Sequence, residues 1–74
     1  MATHGDALRK YSALLYEQMN TRDDISVRDA QWLLRQTGVR RGSRQTRLYL
    51  WYLTETARAI VTDDGRPRLY RKVS

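Results

Sequence analysis

The length, composition and charge of this chain limit the kinds of protein that it can form. Its 74 residues suffice for one domain, residues 1–74, and the absence of cysteine excludes disulfides and zinc fingers. The net charge of +6, from 14 basic and 8 acidic residues, favours a polyanionic partner, and no small-molecule substrate is evident.

The first predicted element is a helix over residues 3–19. Its apolar residues recur at helical spacing, at Leu8, Tyr11, Leu15 and Met19. Thr3 and Asp6 have the spacing of a capping box at its start. The N-terminal residues contain no basic region followed by an apolar run, and no run of about 18 apolar residues occurs anywhere. We therefore expect a cytoplasmic protein that neither spans a membrane nor is exported.

A second helix is predicted to begin at Ser26. The Ser26 side chain is suited to cap the helix, with Asp29 at the third position and Gly38 ending the helix as a C-cap. Its predicted buried stripe consists of Val27, Ala30 and Leu34. This pattern places Trp32 on the polar face of the second helix.

A third helix is predicted over residues 43–56. Its core-facing stripe is expected to contain Thr46, Leu50, Leu53 and Ala57. The opposite side then contains Arg44, Arg47, Leu48, Trp51 and Glu55. We expect the first helix or the C-terminal hairpin to cover Leu48 and Trp51, and a partner subunit is the alternative cover.

After the third helix the pattern changes from helical to extended. Residues 58–62 and 67–73 are rich in β-branched and aromatic residues, and the turn formers Asp63, Asp64 and Gly65 separate them. Asp-Gly tolerates the positive φ angles of tight turns, and Pro67 is consistent with the start of an edge strand. The sequence therefore predicts a two-stranded hairpin.

Residues 26–73, about two thirds of the chain, resemble the winged helix-turn-helix domain of small prokaryotic and viral transcription regulators. Gly38 and Val39 lie where that family has its turn, residues 43–47 resemble the polar start of its recognition helix, and residues 66–70 resemble its basic, tyrosine-containing wing. The resemblance implies an α+β fold, a three-helix winged helix-turn-helix with a C-terminal two-stranded β-hairpin wing. Two departures are a five-residue link between the motif helices and Ala57, where the family commonly has glycine.

The basic residues are concentrated in the second half of the chain. Residues 1–34 carry four basic and five acidic side chains, whereas residues 35–74 carry ten basic and three acidic ones. The candidate DNA-binding residues are Arg40, Arg41, Ser43, Arg44, Gln45, Arg47, Arg66, Arg68 and Arg71. The alternatives are a solvated basic face on the helix and charged protection of an edge strand on the hairpin.

These candidates are expected to contact different parts of the duplex. Arg44 and Arg47 are suited to base edges in the major groove, and Ser43 with the free amides of the first turn is suited to a phosphate. In the same position Ser43 could serve only as an N-cap. Arg66 and Arg68 are expected to contact phosphates or the minor groove.

The function predicted from these observations is sequence-specific binding of double-stranded DNA by a transcriptional regulator that occupies an operator, as a dimer or in tandem copies. No cofactor, metal or catalytic site is expected, because His4 is the only histidine and the acidic pairs lie in turns. The alternatives are a protein-interaction adaptor that uses Trp32, Trp51 and Leu48, and a binder of structured RNA.

Overall fold

The computed structural model describes residues 4–74, and for His4 the backbone alone. Within this range the chain forms α1 (His4–Gln18), α2 (Val27–Gln36) and α3 (Ser43–Glu55), then β1 (Ala59–Asp63) and β2 (Leu69–Lys72). This α+β layout matches a three-helix winged helix with a C-terminal wing and confirms the predicted fold class. The capping box predicted with Thr3 lies outside the described residues.

Helix α2 begins where its sequence predicts, with Ser26 as the N-cap, whereas its C-cap is Thr37 and the predicted C-cap Gly38 is the next residue. The Ser26 hydroxyl accepts the Asp29 amide at 3.2 Å, and the Asp29 carboxylate accepts the Ser26 amide at 3.0 Å. At the other end Gly38 has φ +86°, and the amide of Val39 donates to the Leu34 carbonyl at 3.1 Å. These bonds satisfy backbone groups that a helix end leaves free, so α2 is fixed at both termini.

Helix α3 begins at Ser43, as predicted, but the residues at its two ends do not have the predicted roles. Gly42 is the N-cap and Ser43 the first helical residue, so the interpretation of Ser43 as an N-cap is wrong. Ala57 was expected in the core but is exposed, with φ +59°, and the Arg58 amide next to it donates to the Leu53 carbonyl at 2.8 Å. Ala57 therefore adopts the left-handed conformation that glycine usually supplies at a helix end.

The core lies where α1 and α2 meet α3. Its fully buried leucines are Leu15, Leu34, Leu50 and Leu53. Thr46 is buried as predicted and donates its hydroxyl to the Gly42 carbonyl at 2.9 Å. The pattern did not predict burial of Tyr49, whose ring lies 5.9 Å from that of Tyr11 in α1.

The two strands form an antiparallel hairpin that packs onto the start of α2. Val61 pairs with Tyr70, and a β-bulge follows Val61 in β1. Ile25, just before α2, exchanges two backbone hydrogen bonds with Tyr70, at 2.8 and 2.7 Å, so β2 lies between Ile25 and β1. Strand β2 begins at Leu69, which leaves Pro67 in the loop and not at the strand start. The hairpin is thereby fixed beside α2 and α3.

Candidate nucleic-acid interface

One exposed face of α3 is a stripe of the five side chains that the pattern places there. Arg44, Arg47, Leu48, Trp51 and Glu55 are spaced so that they lie on one side of the helix, and all five are exposed. Leu48 is 42% and Trp51 51% exposed, so the expectation that the hairpin or α1 covers them is wrong. The stripe is cationic in the first turns of α3, apolar at Leu48 and Trp51, and ends at the acidic Glu55.

A basic groove lies between α3, the start of α2 and the loop of the hairpin. Its volume is about 620 Å³. The lining side chains include Arg28 from α2, Arg47 from α3, and Arg66 and Arg68 from the loop. The contact of Ile25 with Tyr70 holds the hairpin beside α2, so arginines distant in sequence face the same space.

An apolar cleft adjoins the basic groove and lies between α3 and β1. It has a volume of about 320 Å³. Leu48, Trp51 and Val61 line it together with three arginines, Arg44, Arg47 and Arg68. Arg47, Arg68 and Tyr70 line both depressions, which are therefore parts of one continuous concave surface.

The carboxylates of the hairpin loop partly neutralise this surface. Asp64 forms an ion pair with Arg68 at 2.6 Å, whereas Asp63 accepts the Gly65 amide at 2.8 Å and shapes the turn. The Tyr70 hydroxyl, and then the Asp64 carboxylate, raise the pKa of Arg68 above its ordinary value. No carboxylate is among the described residues that line the groove and cleft, so the surface stays positive.

The other predicted residues lie outside the groove and cleft. Arg41 stacks on the Tyr11 ring of α1, with its guanidinium carbon 4.7 Å from the ring centre. Arg71 donates to Asp24 at 2.7 Å, and this hydrogen bond lowers the pKa of Asp24. The remaining candidates are exposed near the start of α3 and do not line either depression: Arg40, Ser43 and Gln45.

Sequence reasoning missed Arg28 as a member of the site. Arg28 lies in the first turn of α2, a helix in which the sequence analysis identified no candidate DNA-binding residue. No local pattern places Arg28 beside Arg66, because their proximity depends on the pairing of Ile25 with Tyr70. The exposure of Leu48 and Trp51 likewise depends on where the hairpin packs.

Comparisons with known proteins do not assign a family or a function to this site. The chain matches no family model, and neither the curated proteins nor the solved structures contain a match. The described side chains, those of residues 5–74, form no group of three or more that could bind a metal. Over the same residues no helix is both long and apolar enough to cross a membrane.

Proposed function

We propose that this protein binds double-stranded DNA in a sequence-specific manner, with α3 in the major groove and the hairpin on the flanking backbone, and that it regulates transcription by occupying an operator. One observation carries the proposal. Five arginines from three separate elements converge on one concave surface: Arg28, Arg44, Arg47, Arg66 and Arg68. A surface of this charge and shape suits a rod-shaped polyanion with a groove wide enough for a helix.

The two ends of this surface suit different parts of a duplex. Arg44 and Arg47 project from the first turns of α3, and the guanidinium fork of arginine matches the O6 and N7 atoms of guanine. Arg66 lies in the hairpin loop and not on the helix expected in the major groove. Its position suits contact with phosphates of the DNA backbone. The backbone amides in the first turn of α3 have no acceptor within the helix. These free N–H groups, together with the positive end of the helix dipole, favour a phosphate at the N-terminus of α3.

The test is binding to a labelled random-sequence duplex of about 20 base pairs at two salt concentrations. We expect the double variant Arg28→Ala and Arg47→Ala to bind at least tenfold more weakly than the wild type. The control is Arg22→Ala with Arg58→Ala, which removes the same charge from exposed positions outside the groove and cleft. Equal losses in the two double variants would show that net charge, and not the groove, determines binding.

A protein-interaction adaptor is the second candidate function. The observation that favours it is Trp32, which is 60% exposed on α2 beside Arg28 and Arg35. Tryptophan is enriched at the centres of protein interfaces. An adaptor should bind duplex DNA tightly at neither salt concentration, so the same titration distinguishes the two functions. Duplex RNA of matched sequence, included as a third probe, tests binding of structured RNA.

A further inference from the structure

The apolar half of the α3 stripe has no role in phosphate binding. Leu48 and Trp51 are about half exposed, and Val61, 39% exposed, faces them across the apolar cleft. Leaving such side chains uncovered in water is unfavourable, at roughly 25 cal/mol per Å² of apolar area. Because these three side chains lie together beside the cationic surface, they form a candidate contact for another molecule.

The charges around the cleft limit what that molecule can be. Arg44, Arg47 and Arg68 line the same cleft, and none of the described residues lining it is acidic. A second copy of this chain docked here face to face would bring two sets of arginines together. The molecule that fits the cleft has an apolar group to contact the apolar side chains and negative charge around it to pair with the arginines.

We propose that Leu48 and Trp51 receive the 5-methyl group of thymine, so that the bound duplex carries a thymine beside the base pairs contacted by Arg44 and Arg47. This inference rests on the proposed binding of DNA by α3. In the major groove the thymine methyl is the apolar group that base edges present, and an apolar side chain is its usual partner.

The spacing along α3 agrees with this assignment. Leu48 follows Arg47 directly and lies one turn after Arg44 on the same stripe. Four residues of helix rise by about 6 Å, roughly two base-pair steps of about 3.4 Å. A helix that places Arg44 on one base edge therefore brings Leu48 to a base pair one or two steps away.

The experiment begins with selection of bound duplexes from a random library by the full chain. In the best duplex each thymine is then replaced in turn by deoxyuracil, which removes the methyl group and keeps the hydrogen-bonding pattern. At one or two positions we expect the wild type to bind about two- to fivefold more weakly without the methyl, the size expected for one buried methyl group. The Leu48→Ala variant should bind the thymine and deoxyuracil duplexes equally.

Ile60→Ala is the matched control. Ile60 is 48% exposed, close to Leu48 in accessibility, but it lies on β1 and lines neither the groove nor the cleft. It should keep the full difference between thymine and deoxyuracil. Trp51→Ala should reduce that difference, and the melting temperature of each variant checks that it is folded.

Three outcomes would overturn the inference. If the wild type binds every deoxyuracil duplex as tightly as the parent, the methyl contact does not exist, although DNA binding stands. If Leu48→Ala weakens self-association in sedimentation and keeps the methyl effect, Leu48 belongs to an interface between copies. If no duplex is enriched or bound at all, the proposed function itself fails and this contact with it.

Discussion

Substitution of single arginines tests whether α3 and the hairpin contact different parts of DNA. Arg47 lines both the groove and the cleft, and Arg66 lines the groove from the hairpin loop. Neither forms an ion pair with the residues that the structure describes. Alanine at either position therefore removes one charge that has no ion-pair partner among the described residues. The two variants should nevertheless lose different parts of DNA binding, sequence-specific binding in Arg47→Ala and binding to any duplex in Arg66→Ala.

The magnitudes follow from the number of arginines on the concave surface. If three to five of them neutralise a phosphate each, log K should fall with log salt at a slope between about −2.7 and −4.5, because each phosphate contributes about −0.9. Arg66→Ala should reduce that slope by about 0.9 and weaken all duplexes alike. Arg47→Ala should cost about 1 to 3 kcal/mol on the selected duplex and less on an unrelated one.

The assay is fluorescence anisotropy with the selected and the unrelated duplex at four salt concentrations. Both side chains are exposed, so the free energy of unfolding should change by less than about 0.5 kcal/mol in either variant. Arg22→Ala, exposed and outside the groove, measures the effect of net charge alone. If Arg66→Ala changes sequence preference and Arg47→Ala does not, the hairpin and not α3 contacts the bases.

Three further predictions concern stability, pH and stoichiometry. Ala57→Gly should raise the free energy of unfolding by about 0.5 to 1 kcal/mol, because Ala57 is strained at φ +59°. Gly38→Ala should lower it by about 1 kcal/mol, because alanine would be strained at the φ of +86° that Gly38 adopts. Changes of the same sign in urea denaturation would contradict this reasoning. Arg71 lowers the pKa of Asp24, so their ion pair stabilises the fold fully above the ordinary aspartate pKa and is lost as the pH falls through the lowered value. Arg71→Ala should therefore raise the Asp24 midpoint in an NMR titration, and an unchanged midpoint would refute the pairing. Selected duplexes should contain half-sites about 10 base pairs apart, or a multiple of that, occupied by two copies, and sedimentation of one copy on an unrepeated site would argue against a dimer.

The local elements of this fold could be predicted from the sequence because short-range interactions determine them. Ser26 and Asp29 cap α2 through bonds between residues three apart, and Gly38 ends α2 because glycine tolerates positive φ. The change from a helical to an extended pattern after Ala57, with the turn formers at residues 63–65, likewise identified the hairpin. The predicted strands missed the observed ends by one or two residues, since strand ends depend on pairing.

The surface shared by α2, α3 and the hairpin could not be predicted in the same way. The sequence identified Arg44 and Arg47 as exposed because helical periodicity alone separates them from the core stripe. It gave no indication that Arg28 joins them, because Arg28 reaches the groove only when Ile25 pairs with Tyr70, far along the chain. Non-local pairing of this kind leaves no periodic signal.

The sequence by itself thus determined the order of the helices and the hairpin, the N-terminal capping box of α2 and the concentration of positive charge in the second half of the chain. The tertiary structure alone decided which arginines share one surface and which are held elsewhere. Arg41 stacks on the Tyr11 ring, and Arg71 donates a hydrogen bond to Asp24. It also decided that Leu48 and Trp51 stay exposed. The physical reason is that caps and periodicity act within a few residues, whereas the placement of a side chain on a common surface depends on how whole elements pack.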